Sequence, residues 1–382
     1  MNRPDTEAIL SRLKPFQRRT VEHGFHRLFV APDSTSRFLV ADEVGLGKTL
    51  VARGIIARAI DHLWEDVDRI DVVYICSNGS IARANLPKLQ VSATDERSFA
   101  LATRLTMLAT QLAPQDGRPG LADSKLNFVS FTPGTSFNMG QSTGQSEERE
   151  VLFHLLLPYF NQRTPLMNLL QGGVRRVDNW RWRLKNNEVP LDPDIQERFD
   201  QAFRERHDIQ TELHEIIDKW FFRYRENWPD EAKWRRNQVI GGLRRLLAEV
   251  CVQALEPDLV ILDEFQRFKS LLETREGHRD PAGELAQAMF AAETPEGNPV
   301  RTLLLSATPY KLYTADAEIE RDDHYSDFLA TTRFLLDDED RVEELQHRLT
   351  RYGTALKRAA SGDPDQVENA KDEVEDSLRA VM

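Results

Sequence analysis

The stretch Phe38-Leu39-Val40-Ala41-Asp42-Glu43-Val44-Gly45-Leu46-Gly47-Lys48-Thr49 decides how the rest of the chain reads. Four apolar residues make a short strand, and helical spacing takes over at 49–64. A strand, a Gly-rich turn and a helix in that order are the context a phosphate-binding loop requires. Gly45 and Gly47 let backbone N–H groups close around phosphate oxygens, with Leu46 between them, and the helix N-terminus adds a favourable field for an anion. Lys48 would reach the β- and γ-phosphates, and Thr49 would place its hydroxyl on Mg²⁺. Asp42 stands where the general motif has its first glycine. A chance Gly-Lys-Thr at a turn is the competing reading, and the flanking strand and helix argue against it.

Two later stretches complement the loop. Leu259-Val260-Ile261-Leu262 is an apolar run that delivers Asp263 and Glu264 at its C-terminal end, where ligands bind in open α/β sheets. In partnership with the loop, Asp263 would hold Mg²⁺ and Glu264 would orient and deprotonate an attacking water. Alone, the pair could equally cap the next element. Ser306-Ala307-Thr308-Pro309 follows the apolar run 302–305. Its hydroxyls could hydrogen-bond the carboxylates and report nucleotide state, or simply make a turn.

Around these motifs the chain alternates between short apolar runs and helical spacing. Strands are expected at 37–41, 71–76, 127–132, 258–262 and 301–306. A helix is expected over 80–89, broken at Pro87, and another over 284–292. Short apolar strands joined by helices imply a mostly parallel sheet covered on both faces. Residues 140–148 read as a Gly/Ser/Gln loop, and long Arg- and Trp-rich helical patterns follow it. The region 325–382 reads as acidic helix with a break at 361–364. The division expected is 1–137 and 256–313 for the sheet-bearing lobe, 138–255 for a helical insertion and 314–382 for an acidic helical linker.

Composition sets outer bounds. The 382 residues carry a net charge of -12, so any nucleic-acid contact needs a local basic patch. Cys76 and Cys251 lie in apolar runs and read as buried, reduced thiols, which fits a cytoplasmic location. No signal-peptide core and no membrane-length apolar window is present in the sequence.

The order Gly-Leu-Gly-Lys-Thr, Asp-Glu, Ser-Ala-Thr resembles superfamily 2 helicases. Asp-Glu-Val-Gly-Leu-Gly-Lys-Thr in particular resembles the Swi/Snf-type and bacterial RNA-polymerase-recycling branch. The resemblance implies a RecA-like lobe that binds ATP and Mg²⁺ and acts on nucleic acid, DNA rather than RNA. Leu13-Lys14-Pro15-Phe16-Gln17 resembles the family's upstream glutamine motif, which gives Gln17 adenine recognition; a surface glutamine at a helix start is the plainer alternative. Cys76-Ser77-Asn78-Gly79-Ser80, with Asn85 beyond, and Phe131-Thr132-Pro133-Gly134 resemble loops that touch the nucleic-acid backbone, which makes Ser77, Asn78, Thr132, Pro133 and Gly134 contact candidates. Motif II reads Asp263-Glu264-Phe265-Gln266, neither DEAD nor DEAH, and Gln266 takes the position of a residue coupled to Ser306 and Thr308. The resemblance spans about residues 13–312. The family's second RecA-like lobe, which brings arginine fingers to the γ-phosphate, has no counterpart after Thr308; Arg358 and Arg379 have the wrong neighbours. Such fingers are worth about 10³–10⁵ in rate, so this chain is expected to turn over slowly without a second lobe supplied in cis or in trans.

Two features stay open at this level. Arg175, Arg176, Arg181, Arg183 and Lys185 cluster with Trp180 and Trp182, and Lys233, Arg235, Arg236, Arg244 and Arg245 with Trp234. Either they grip phosphates and stack on bases, or the tryptophans pack helices while the arginines face water and nearby acids. For the whole chain, the rivals to a motor lobe are a non-catalytic nucleotide- or DNA-binding regulatory module and an unrelated P-loop ATPase.

Overall fold

The computed structural model describes residues 3–42, 45–91, 98–114, 117, 119–136, 143–264, 281–292, 297, 299–306, 324–358 and 364–382. Six strands form one sheet: β1 (Arg37–Ala41), β2 (Ile70–Ile75), β3 (Ser98–Ala102), β4 (Leu126–Phe131), β5 (Leu259–Asp263) and β6 (Arg301–Ser306), in the order β1-β6-β5-β2-β4-β3. Every pairing is parallel. The fold is α/β, as the alternation of apolar runs and helices implies, and the arrangement is that expected of a RecA-like lobe with large helical regions.

The alternation of side chains along the strands sorts the core into two layers. Phe38, Val40, Val72, Tyr74, Phe128, Ile261 and Leu303 face one way and pack with the helices α1 (Thr6–Leu10), α2 (Pro15–Phe25), α3 (Lys48–Leu63) and α4 (Gly79–Leu89). Leu39, Val73, Ile75, Val129, Phe131, Val260, Leu262 and Leu304 face the other way. There they meet the helices between Ser146 and Leu255, together with the Pro281–Phe290 and His324–Leu336 helices. β2 and β4 are buried at every position, as central parallel strands with helices on both faces must be. The Arg- and Trp-rich region is thus the second covering layer of the sheet.

Edge strand β1 is closed from its other side. The Leu39 amide donates to the Val381 carbonyl at 2.8 Å, and Arg27 Nε donates to the Ala380 carbonyl at 3.1 Å. On the same strand Arg37 bonds the Phe334 carbonyl and pairs with Asp337 at 2.9 Å. A bare edge strand offers unpaired backbone groups to other chains; here Val381 takes the Leu39 amide, and His23 and Arg27 hold the residues beside it.

Several local expectations change. β3 is an additional strand that a run of small residues, Ser98-Phe99-Ala100-Leu101-Ala102, did not announce. α4 continues through Pro87 to Leu89. The proline sits in the last turn, and both it and Arg83, whose carbonyl loses its donor, are exposed to water, so the interruption costs little. The expected loop over 140–148 ends early, because Glu148 caps a helix that begins at Ser146. Leu336 and Glu339 end and begin separate helices, with Asp337 at φ 51° between them. Both cysteines are buried free thiols. Among the described residues no helix is long and apolar enough to cross a membrane.

Two polar clusters lie inside this framework. Glu148 is fully buried and accepts from Arg244 at 2.8 Å, from Thr106 at 2.8 Å and from the Gln145 amide at 2.7 Å. Burial pushes its carboxyl up, but Arg244 and these donors more than offset that and hold it below the usual carboxylate range. At the N-terminal end of the sheet, Asp71 accepts from Asn127 at 2.7 Å and pairs with Arg69 at 2.9 Å, while its amide donates to Asp258 at 2.8 Å. These contacts tie β5, β2 and β4 together. Burial dominates the Asp71 carboxyl and raises it to about 6 despite Arg69. The native state therefore holds a proton that the unfolded chain releases near pH 4. This contribution to stability is complete below about pH 4 and is lost as the pH rises through 6, on the order of 2–3 kcal/mol in all. Urea denaturation across pH 4–7 should show that fall in wild type, and Asp71→Asn should remove it.

Candidate functional site

Strand register places the sequence motifs along one edge of the sheet. Ala41 is level with Ser306, Leu305 with Asp263, Leu262 with Ile75, and Ile75 with Phe131. The five following segments therefore emerge side by side from the C-terminal ends of the strands. In sheet order they are the Gly-rich loop, Ser306, Asp263-Glu264, Ser77-Asn78 and Thr132-Pro133-Gly134. β1 and β5 have one strand between them, so the loop and the carboxylates start about 10 Å apart.

The loop closes through two glycines. Gly45 has φ 88° and Gly47 has φ 89°, a left-handed conformation that side chains disfavour. Gly47 is also the N-cap of α3, and the amides of Leu50 and Val51 both return to its carbonyl. A Cβ on Gly47 would fall 2.6 Å from Gln17 Nε2, whereas one on Gly45 would meet nothing within 4 Å. One wall of the loop is therefore sealed by protein and the other is open. Lys48 Nζ donates to the Asp42 carbonyl at 3.0 Å, which draws the two ends of the loop together. Asp42 Oδ2 is buried without a hydrogen-bond partner among the described residues. Leu46 is exposed and Thr49 is half-buried on the first turn of α3. A glycine-lined cradle opening at the head of a 16-residue helix fits a phosphate chain, with Thr49 and Asp263 as the oxygen donors available to Mg²⁺.

Gln17 has a structural task. It is buried, its Nε2 donates to the Leu46 carbonyl at 2.7 Å, and its Oε1 accepts from the Lys14 amide at 3.0 Å. The carboxamide thus caps α2 and fastens that helix to the loop.

Asp263 ends β5, and its Oδ2 accepts from the Tyr74 hydroxyl. Asn85 Nδ2 donates to that hydroxyl at 2.9 Å and to Asp263 Oδ2 at 3.4 Å. Burial, then the Asp263 charge, push the Tyr74 hydroxyl far above its ordinary value, so it stays a donor. Glu264 follows at φ 56°, a left-handed backbone costing about 1 kcal/mol for a non-glycine residue. Its amide is held by the Leu305 carbonyl at 3.1 Å. Backbone strain at the second of two carboxylates is the kind of outlier that accompanies functional sites.

Ser306 is fully buried at the end of β6, between the loop strand and the carboxylate strand. Asn78 caps α4, its Oδ1 accepting from the Ser80 and Ile81 amides at 3.0 Å each. Ser77 Oγ is buried with no hydrogen-bond partner among the described residues. Thr132 and Pro133 are half-buried, and the Thr132 carbonyl accepts from Ser136 at 2.9 Å. Glu43, Val44, Gln266 and Thr308 lie outside the described residues. Tyr74 was hidden by its apolar run; a phenol on an all-buried strand needs a partner for its hydroxyl, and that is the signal that could have exposed it.

Comparison with known proteins is silent on ancestry. No family model matches the chain, and no curated protein matches it. The reading of the site therefore rests on its geometry and chemistry.

Removing the Tyr74 hydroxyl leaves Asp263 Oδ2 with only the longer bond from Asn85 Nδ2, at 3.4 Å, among these two donors. Tyr74→Phe should cost about 0.5–1.5 kcal/mol of stability in denaturant unfolding. Combined with Asn85→Ala, the loss should fall short of the sum of the single losses, because the residues share one acceptor.

Proposed function

We propose that this chain is the ATP-binding and ATP-hydrolysing motor lobe of a nucleic-acid translocase or helicase, with double-stranded DNA as its track. The observation that carries the reading is the line of strand ends, where a glycine cradle and an Asp-Glu pair flank Ser306. Gly45, Leu46, Gly47, Lys48 and Thr49 bind the triphosphate, and Thr49 and Asp263 hold Mg²⁺, which neutralises phosphate charge. Glu264 is the base that orients and deprotonates the attacking water. Ser306 stands between the loop and the carboxylates and senses which nucleotide is present; Gln266 and Thr308 belong to the same coupling role. Ser77, Asn78, Thr132, Pro133 and Gly134 contact the nucleic-acid backbone from the other half of the same edge. Gln17, already fastened to Leu46, positions the loop and reads adenine through it. A second RecA-like lobe, in cis or in trans, supplies arginine fingers and completes turnover in the cytoplasm.

Steady-state ATP hydrolysis with and without double-stranded DNA tests this. Lys48→Ala should abolish nucleotide binding. Glu264→Gln should keep binding and lower turnover by about 10²-fold or more. If Lys48→Ala and Glu264→Gln both leave nucleotide binding and hydrolysis at wild-type levels, the loop is not a phosphate site. Tight Lys48-dependent binding with no turnover under any condition would instead make the chain a nucleotide-binding regulatory module.

A further inference from the structure

The Arg- and Trp-rich layer covers the sheet with only part of its side chains. Trp180 and Arg244, both members of the basic and aromatic clusters, are buried. Trp182, Phe222, Tyr224 and Trp234 remain 58%, 51%, 54% and 58% exposed, and all four lie in this layer. Exposed aromatics on a charged surface are a departure from ordinary burial.

The cations beside them depart from the rest of the molecule as well. Between Gly172 and Asn186 five Arg and Lys residues accompany one Asp, in a chain whose net charge is -12. On the neighbouring Pro193–Glu205 helix, Arg198 and Arg204 are paired with Asp194 and Asp200 at 2.7 and 2.9 Å. By contrast Arg175, Arg176, Arg223 and Arg225 are exposed, and no carboxylate among the described residues pairs with them. Arg181 is held by amide oxygens of Gln171 and Asn168, and its guanidinium lies 5.3 Å from the centre of the Tyr224 ring.

These groups are contiguous. Asn168, which accepts from Arg181 at 2.9 Å, donates to the Phe221 carbonyl at 2.8 Å, and so joins the Val177–Asn186 helix to the segment 222–225. Arg236 packs its guanidinium on Gly172, where an added Cβ would lie 2.4 Å from it. Uncompensated guanidinium groups offer phosphate contacts, and an exposed ring beside them offers a stacking platform. A duplex hides its base faces, whereas a single strand presents them.

We propose that the surface formed by residues 172–181, 222–225 and Arg236 binds single-stranded nucleic acid, with Tyr224 and Phe222 stacking on bases and Arg176, Arg181, Arg223 and Arg225 contacting phosphates. The surface lies in the covering layer, on its connections 172–176 and 222–225 and the start of the Val177–Asn186 helix, and works without nucleotide.

Fluorescence anisotropy of a labelled 20-residue oligo-dT, with no ATP present, reads this out on the full chain. The single strand should bind, and its affinity, unlike that of a blunt duplex of the same length held by the strand-end loops, should depend on the exposed aromatics. Tyr224→Ala combined with Phe222→Ala should weaken binding about tenfold or more with the salt dependence unchanged. Arg223→Ala combined with Arg225→Ala should reduce the slope of log affinity against log salt by about 0.7 per lost contact. Arg198→Ala, at a paired arginine on the adjacent helix, should change neither, and Lys48→Ala should bind as wild type. That last comparison separates this surface from the nucleotide reading. Phe222, Arg223, Tyr224 and Arg225 are solvent-exposed, Lys48 and Arg198 half-buried, and unchanged thermal unfolding confirms that the variants fold. The proposal is overturned if oligo-dT does not bind at low salt, if the aromatic variant weakens the duplex as much as the single strand, or if that variant binds oligo-dT as wild type.

Discussion

Parallel register is the constraint on which the rest of the structure depends. A parallel strand cannot return through a tight turn, so each C-terminal end must hand the chain to a crossover on the same edge. With β1, β6, β5, β2 and β4 paired nearly level, five such exits fall in one row. The residues with the strongest chemistry lie at those exits, and residues distant in sequence become neighbours without any one loop having to be long. The same register requires both faces of the central strands to be covered, which the N-terminal helices do on one side and the Arg- and Trp-rich helices on the other.

Polar groups in the interior reinforce that register. Asp71, Asp258 and Asn127 cross-link β2, β5 and β4 at the N-terminal end. Tyr74 and Asn85 clasp Asp263 at the C-terminal end. The two sets differ in consequence. The first buries a carboxylate deeply enough to shift its titration to about 6, and so trades stability above that pH for a fixed strand order. The second leaves Asp263 half-exposed at the rim while one of its oxygens is held in place. Fixing the orientation of a carboxylate before a cation arrives is the kind of support that metal ligands receive from their surroundings. Asn85 also sits on the helix that Asn78 caps, so the carboxylate and the Ser77-Asn78 loop share a rigid element.

Much of this was legible in the sequence, for physical reasons that differ by element. β1, β2, β4, β5 and β6 are mostly apolar, with Asp71, Asn127, Ser130 and Thr302 as buried polar exceptions, and strands buried on both faces read as mainly apolar runs. β3 has a serine and two alanines among its five residues and lacks the β-branched bulk that marks a strand. Pro87 argued for a helix break that an exposed last turn does not need. Trp180 packs inside the helical layer, one of the two alternatives its cluster left open, whereas Arg244 read as a surface cation because a linear pattern does not say which side of a helix a neighbour covers; it instead answers Glu148, a partner 96 residues away. Gly45 and Gly47 were readable because the loop demands left-handed backbone. The Gln17 tether to Leu46 was not, since it joins residues 29 apart through a contact that only the α2–α3 packing creates.

Equilibrium titration calorimetry with AMP, ADP and ATP, with and without Mg²⁺, tests the central claim most directly. A cradle built from Gly45, Gly47 and Lys48 with Asp263 facing it predicts affinity that rises with each phosphate, negligible binding of AMP, and a gain from Mg²⁺ for ATP that Asp263→Asn removes. Equal affinity for AMP and ATP, or a Mg²⁺ effect indifferent to Asp263→Asn, would contradict it.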